Sequence, residues 1–182
     1  KKLINLENVD DNPDLDTFTY NNRPIVLTHY FQEYRFYRNH KKFIKQKLSK
    51  LFDIPAKNAP KENDVVVHMR GRDCGWPVAE KYFLKSLRYI KDFDNIHIVT
   101  DDPKRFGNFA ETLKSSFGKD IFLWNQDSVE DFKFIMNAKK IVICGSTFSW
   151  WAAWLSEAEV ICMPNTSLFR KLFVDEERYK VF

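Results

Sequence analysis

Two stretches of this sequence carry residue types and spacings suited to binding an anion. The first, Cys144 to Ser156, reads CGSTFSWWAAWLS and follows the short β-branched run Lys140 to Ile143. A strand that turns through Gly145, Ser146 and Thr147 into an apolar helix beginning near Ser149 is a phosphate-binding arrangement. Glycine lets the backbone approach a ligand, the hydroxyls of Ser146, Thr147 and Ser149 can donate, and the open amides of a helix N-terminus favour negative charge. The same residues also suit an ordinary strand-to-helix crossover, in which the hydroxyls cap the helix and Trp150, Trp151 and Trp154 fill the core.

The second stretch, Val65 to Asp73, reads VVVHMRGRD. The two-residue period of a strand puts His68 and Arg70 on one face, so both can reach one ligand where the strand runs out. The Arg70 guanidinium can fork onto two phosphate oxygens, and Arg72 adds a second positive charge near the turn. Asp73 can hold Arg70 in place or take a proton from a hydroxyl. A lone His-x-Arg is more simply a core histidine beside a surface salt bridge. In an otherwise apolar strand, however, two buried polar groups need partners, and a ligand is one.

The elements that must position these residues follow from the alternation of patterns. Val65 to Met69, Ile96 to Thr100, Asp120 to Trp124, Lys140 to Cys144 and Val160 to Met163 read as strands. Between them, helices are expected from Pro77 to about Asp92, from Pro103 onward, from Ser128 to about Ala138, and from Ser149 to Ser156. Ser128 with Asp131 reads as a capping box. Repeated strand–helix units predict an α/β fold, a Rossmann-like parallel sheet with helices on both faces. Ligands bind at the carboxyl ends of such strands, here His68 to Asp73, Thr100 to Asp102, Trp124 to Ser128 and Gly145 to Ser149. Asp101 and Asp102, ahead of Pro103, read as an N-cap and its solvated neighbour or as ligand-facing groups. Residues 63–182 are expected to form this domain, and residues 1–62 an arm with an aromatic, basic helix from about Tyr30 to Phe52. On that helix Tyr30, Tyr34, Tyr37, Ile44, Leu48 and Leu51 share a face, while Lys41, Lys42, Lys45, Lys47 and Lys50 stay wet.

Composition bounds the partners. The 182 residues are 44% hydrophobic, enough for one α/β core, and 29 Lys+Arg against 25 Asp+Glu give a net charge of +4. That mild excess suits an anionic ligand; the basic helix comes with no recognition motif, and no nucleic-acid partner is expected. Cys74, Cys144 and Cys162 have no metal-like spacing and read as reduced thiols. No apolar run reaches the roughly 18 residues of a membrane span, so the expectation for this stretch is a soluble, cytoplasmic piece, or a Golgi-lumenal one within a membrane-anchored enzyme.

His68, Arg70 and Asp73 match the HxRxxD motif of the fucosyltransferases, and GSTFSWWAAWLS resembles the SFSWWAAWL segment of the α-1,2-fucosyltransferase family. Thr100 to Pro103, reading TDDP, is similar to the SDD or TDDP turn between those motifs, and YFQEYRFYR at Tyr30 to Arg38 resembles the family's YFQSEKYF. The resemblance covers most of Leu27 to Phe182. It implies the C-terminal, GDP-fucose-binding domain of a GT-B glycosyltransferase that inverts the anomeric centre without a required metal or other cofactor. It further implies that Arg70 holds the β-phosphate, that His68 lines the same pocket, and that Asp131 contacts guanine. Ser146, Thr147 and Ser149 would contact the diphosphate, and Asp73 is the candidate base. Arg72, Asp101, Asp102, Gly145 and Phe148 complete the expected substrate set. The partners expected are therefore GDP-fucose and a glycan acceptor. The family's usual HxRRGD is here HMRGRD, with Gly71 and Arg72 exchanged. Its GGLGNQ opening and most of its acceptor domain have no counterpart in these residues. The chain is thus expected to be a domain of a longer protein, with further domains as partners, or a divergent enzyme whose acceptor side is built by the arm and aromatic helix. The alternative is a non-catalytic nucleotide-sugar or glycan-binding domain.

Overall fold

The computed structural model describes residues 2–4, 25–27, 33–51, 58–71, 78–166 and 168–182. Two short strands, β1 (Lys2–Ile4) and β2 (Ile25–Leu27), pair in parallel. The remaining strands are β3 (Val65–Met69), β4 (Asn95–Thr100), β5 (Asp120–Trp124), β6 (Lys140–Val142), β7 (Val160–Met163) and β8 (Tyr179–Val181). They form one six-stranded sheet in the order β5-β4-β3-β6-β7-β8, every neighbouring pair parallel. This is the Rossmann order, with the direction of winding reversing between β3 and β6.

The connecting helices are α2 (Glu80–Ile90), α3 (Pro103–Phe117), α4 (Ser128–Met136) and α5 (Thr147–Leu155), and α1 (Lys41–Leu51) precedes them. Strand alternation divides the interior into two cores. Val65, Val67 and Met69 face Tyr82, Phe83, Leu87 and Leu113 of α2 and α3. Val66 points the other way, to a core with Phe134, Ile135, Trp150 and Trp154 of α4 and α5. All five residues of β3 are buried because the strand lies mid-sheet with helices over both faces, whereas edge strand β5 leaves Phe122 and Leu123 exposed.

The tryptophans of α5 are core residues. Trp150 and Trp154 are fully buried and stacked at 5.6 Å, and the Trp150 indole donates to the Leu172 carbonyl at 2.8 Å. Tyr34 and Tyr37 dock on them, Tyr37 lying 4.5 Å from Trp151. At the far end of α5, Arg178 donates to the carbonyls of Trp154, Ser156 and Ala158.

Six sequence expectations need correction. Of the helix expected over Tyr30 to Phe52, residues 30–32 and 52 lie outside the described residues, and the rest is a 3-10 turn at Tyr34–Phe36 followed by α1, because Tyr34 and Tyr37 are turned onto the α5 tryptophans before the chain can continue helically. β6 ends at Val142 rather than Cys144, and α5 begins at Thr147 rather than Ser149. α2 begins at Glu80, and Pro77 lies outside the described residues. The cap of α4 is Asp127, which accepts from the amides of Val129 and Glu130, so Ser128 and Asp131 do not form the box. Finally, β8 adds a sixth strand that three residues of weak pattern did not announce. Among the described residues no helix is long and apolar enough to cross a membrane.

The end of α2 is strained. Lys91 sits at φ 61°, ψ −59°, a conformation that side chains disfavour. Relief of roughly 1–3 kcal/mol of strain, against about 1 kcal/mol of added freedom in the unfolded chain, leaves Lys91→Gly more stable than the parent. Thermal melting should show the rise; an unchanged or lower midpoint would contradict the strain.

Candidate active site

The reversal of winding between β3 and β6 opens a crevice at the carboxyl end of the sheet, and the two sequence stretches meet there. β3 delivers His68 and Arg70; β6 delivers Cys144, the Gly145 turn and the start of α5. His68 is buried, with Nδ1 3.1 Å from the Cys144 Sγ and its ring 5.5 Å from that of Phe148. Burial, reinforced by the neighbouring Arg70 charge, lowers its pKa to about 4, against a smaller raising effect of Asp101. At neutral pH the imidazole is uncharged, so the fixed positive charge here is that of Arg70.

Arg70 is oriented by the turn after β4. Its Nε lies 3.3 Å from Asp101 Oδ2, while Asp101 Oδ1 accepts the Gly71 amide at 2.7 Å. The Gly71 carbonyl accepts from Arg105 Nη1 at 2.6 Å. Asp102 is the N-cap of α3, accepting from the Arg105 amide, and its own amide donates to Thr100 Oγ1. Of the two aspartates, then, Asp101 serves the site and Asp102 the helix. Gly71 is buried against this turn so tightly that a Cβ would lie 2.5 Å from the Asp102 Cβ, which gives a reason for glycine rather than arginine at this place in HMRGRD. Met69, Arg70, Glu80, Phe83, Arg105 and Cys144 line an adjoining cleft of about 400 Å³.

At the head of α5, Ser146 is the N-cap and makes no side-chain cap bond. The first-turn amides of Thr147 and Phe148 therefore have no acceptor within the helix, and both residues are part-exposed, as are Gly145 and Ser146. Ser149 differs. It is fully buried and its hydroxyl donates back to the Ser146 carbonyl at 3.2 Å, so that hydroxyl steadies the turn instead of facing the crevice.

Asp131 stands apart, on α4 beside the end of β5. With Trp124, Gln126 and Phe134 it lines a second cleft of about 350 Å³. Its Oδ1 accepts the Gln126 amide at 3.2 Å. Burial and the neighbouring Asp127 raise its pKa, with the Gln126 hydrogen bond opposing. Phe132, next to it on the same helix, meets Phe148 at 5.5 Å, so α4 packs on the first turn of α5. Arg72 and Asp73 lie outside the described residues, as does Cys74. Arg105 and Cys144 line the first cleft although the sequence reading does not name them as site residues, and Trp124, named there only as part of the β5 strand end, lines the second. For Arg105 the available signal was its place in the first turn after the TDDP segment, one turn from Asp101. Among the described residues no three His, Cys, Asp or Glu side chains gather as a metal-binding group.

Two expectations follow. Because the folded chain holds His68 deprotonated to about pH 4 while the unfolded chain takes its proton near 6.5, acidification through that window favours unfolding, by about 3 kcal/mol in all. Urea unfolding across pH 7 to 4 should show this loss, and His68→Asn should flatten it; equal slopes would contradict the burial assigned to His68. Gly71→Ala should cost about 1–3 kcal/mol in melting experiments by forcing the Asp102 turn outward. A neutral effect would mean that the turn yields freely.

Residues 63–181 match the profile of glycosyl transferase family 11. The chain is also similar to the alpha-1,2-colitosyltransferase of Escherichia coli, at 28% identity over 160 residues, which cover 75% of this chain and 55% of that protein. The chain thus spans about half the length of the curated relative it matches. The matched residues include β3, the α3 turn and the α5 terminus, all that frames the crevice, and the chain belongs to glycosyl transferase family 11.

Proposed function

We propose that this chain carries the donor-binding part of an inverting α-1,2-type fucosyltransferase, which moves L-fucose from GDP-fucose to a glycan hydroxyl. The reading is carried by the placement of Arg70, oriented by Asp101, and the uncapped start of α5 at the ends of the neighbouring strands β3 and β6, where the sheet's winding reverses. A diphosphate between them meets a guanidinium on one side and helix amides on the other. The separate cleft at Asp131 suits the base. A guanine edge offers N1–H and N2–H to a carboxylate, whereas uracil offers one N–H.

In the reaction, the bond from sugar C1 to the β-phosphate oxygen breaks and its electron pair leaves with GDP. The acceptor oxygen bonds C1 from the opposite face and releases its proton. Arg70 and the helix amides are preorganised toward the charge that develops on the departing phosphate, where electrostatic stabilisation counts most. His68, uncharged, offers a hydrogen bond beside it without adding charge. Asp73 is the proposed proton acceptor. The similarity to a colitosyltransferase favours a second donor, a nucleotide-linked colitose, with the same residues in the same roles.

Calorimetric titration with GDP, GDP-fucose and UDP, alongside Arg70→Ala, tests the reading. GDP should bind more tightly than UDP, and Arg70→Ala should weaken it about 10- to 100-fold, the size of a charge-assisted hydrogen bond. Failure of the folded chain to bind GDP would refute the assignment.

A further inference from the structure

Behind the second cleft lies a hydrogen-bonded chain to which the proposed mechanism gives no role. The Trp124 indole donates to His97 Nδ1 at 2.8 Å, and His97 Nε2 lies 2.9 Å from Asp64 Oδ2. An indole nitrogen can only donate, so Nδ1 accepts and carries no proton, and Nε2–H is the donor to Asp64. Asp64 also accepts from the Asn95 side chain at 2.8 Å and the Lys61 amide at 3.0 Å. Burial alone would raise the Asp64 pKa, but these bonds outweigh it and hold the carboxyl below its ordinary value. His97 is further locked by Phe122, stacked at 5.0 Å, and by the Phe134 edge at 5.4 Å.

This chain runs from the buried start of β3 across β4 to the last residue of the edge strand. Trp124 is part-exposed, 4.4 Å from Phe134, and forms a wall of the cleft that holds Asp131. A buried aspartate and histidine thus set the indole plane on a strand that, among the described residues, has no neighbouring strand on its outer side.

We propose that His97, anchored by Asp64, is a positioning residue for the base of the nucleotide donor, fixing the Trp124 ring as the surface on which that base packs. The inference rests on the reading of this cleft as the base site. Its signature is selectivity: the base should feel the change and the phosphates should not.

The test measures GDP and inorganic pyrophosphate binding by calorimetry for the parent chain, His97→Leu, His97→Gln and Trp124→Phe. His97→Leu should weaken GDP about tenfold, the scale of one base–aromatic stack, with pyrophosphate unchanged. His97→Gln should recover part of the loss, since one amide can accept from Trp124 and donate to Asp64. Should the leucine variant fail to fold, Trp124→Phe, which keeps a ring but loses its tether, carries the same expectation. GDP binding unaltered in these variants, or GDP and pyrophosphate weakened by the same factor, overturns the proposal. A parent chain that prefers GDP to pyrophosphate, loses that preference in Asp131→Asn and keeps it in His97→Leu would sink this inference while leaving the donor reading intact. A parent with no preference for GDP would defeat both.

Discussion

Asp101 is shared between a side chain and a main chain, and the geometry of the crevice depends on that sharing. One carboxylate oxygen takes the Gly71 amide and the other faces Arg70, so the direction of the guanidinium is tied to the backbone that follows β3. Arg105, one turn into α3, takes the Gly71 carbonyl. The backbone groups of Gly71 are thus satisfied by the turn between β4 and α3, and the contact is so close that no side chain fits between. An arginine on a freely moving turn would lose side-chain and backbone entropy on meeting a ligand. Here much of that ordering is already done when the sheet forms.

The two cores divide the work around this contact. The α2 and α3 side holds the turn, through Asp102 capping α3 and Phe106 packed near Gly71. The α4 and α5 side holds the ligand-facing surfaces, because the alternation of β3 sends His68 there and α5 starts there. Burial sorts the charges. The imidazole, deep in the crevice, is neutral, while the guanidinium near its mouth keeps its charge in partial contact with water.

Much of this was legible in the sequence, and the reasons differ by residue. The central strands announced themselves as apolar runs because both their faces are covered, and Pro103 marked the start of α3 by backbone geometry alone. The polar interruption of an apolar strand at His68 and Arg70 pointed to a site for the same reason that burying unpaired polar groups is costly. What stayed hidden depends on contacts between distant residues. Nothing local distinguishes Asp101 from Asp102, or turns the Ser149 hydroxyl inward while Thr147 stays open; those outcomes are set by packing on Gly71 and on the α5 core. His97 was assigned no role because its partners are 33 residues before it and 27 after.

Arg178 draws the last strand into the electrostatics of a site that it does not touch. Its guanidinium occupies the carbonyls at the C-terminal end of α5, the negative pole of that helix, while the N-terminal pole at Ser146 has no side-chain cap. With its C-terminal carbonyls engaged by Arg178, which is paired with Glu176, and its first-turn amides open, α5 presents the crevice with a local partial positive charge. The last turn of a short helix is thereby made to matter at its first.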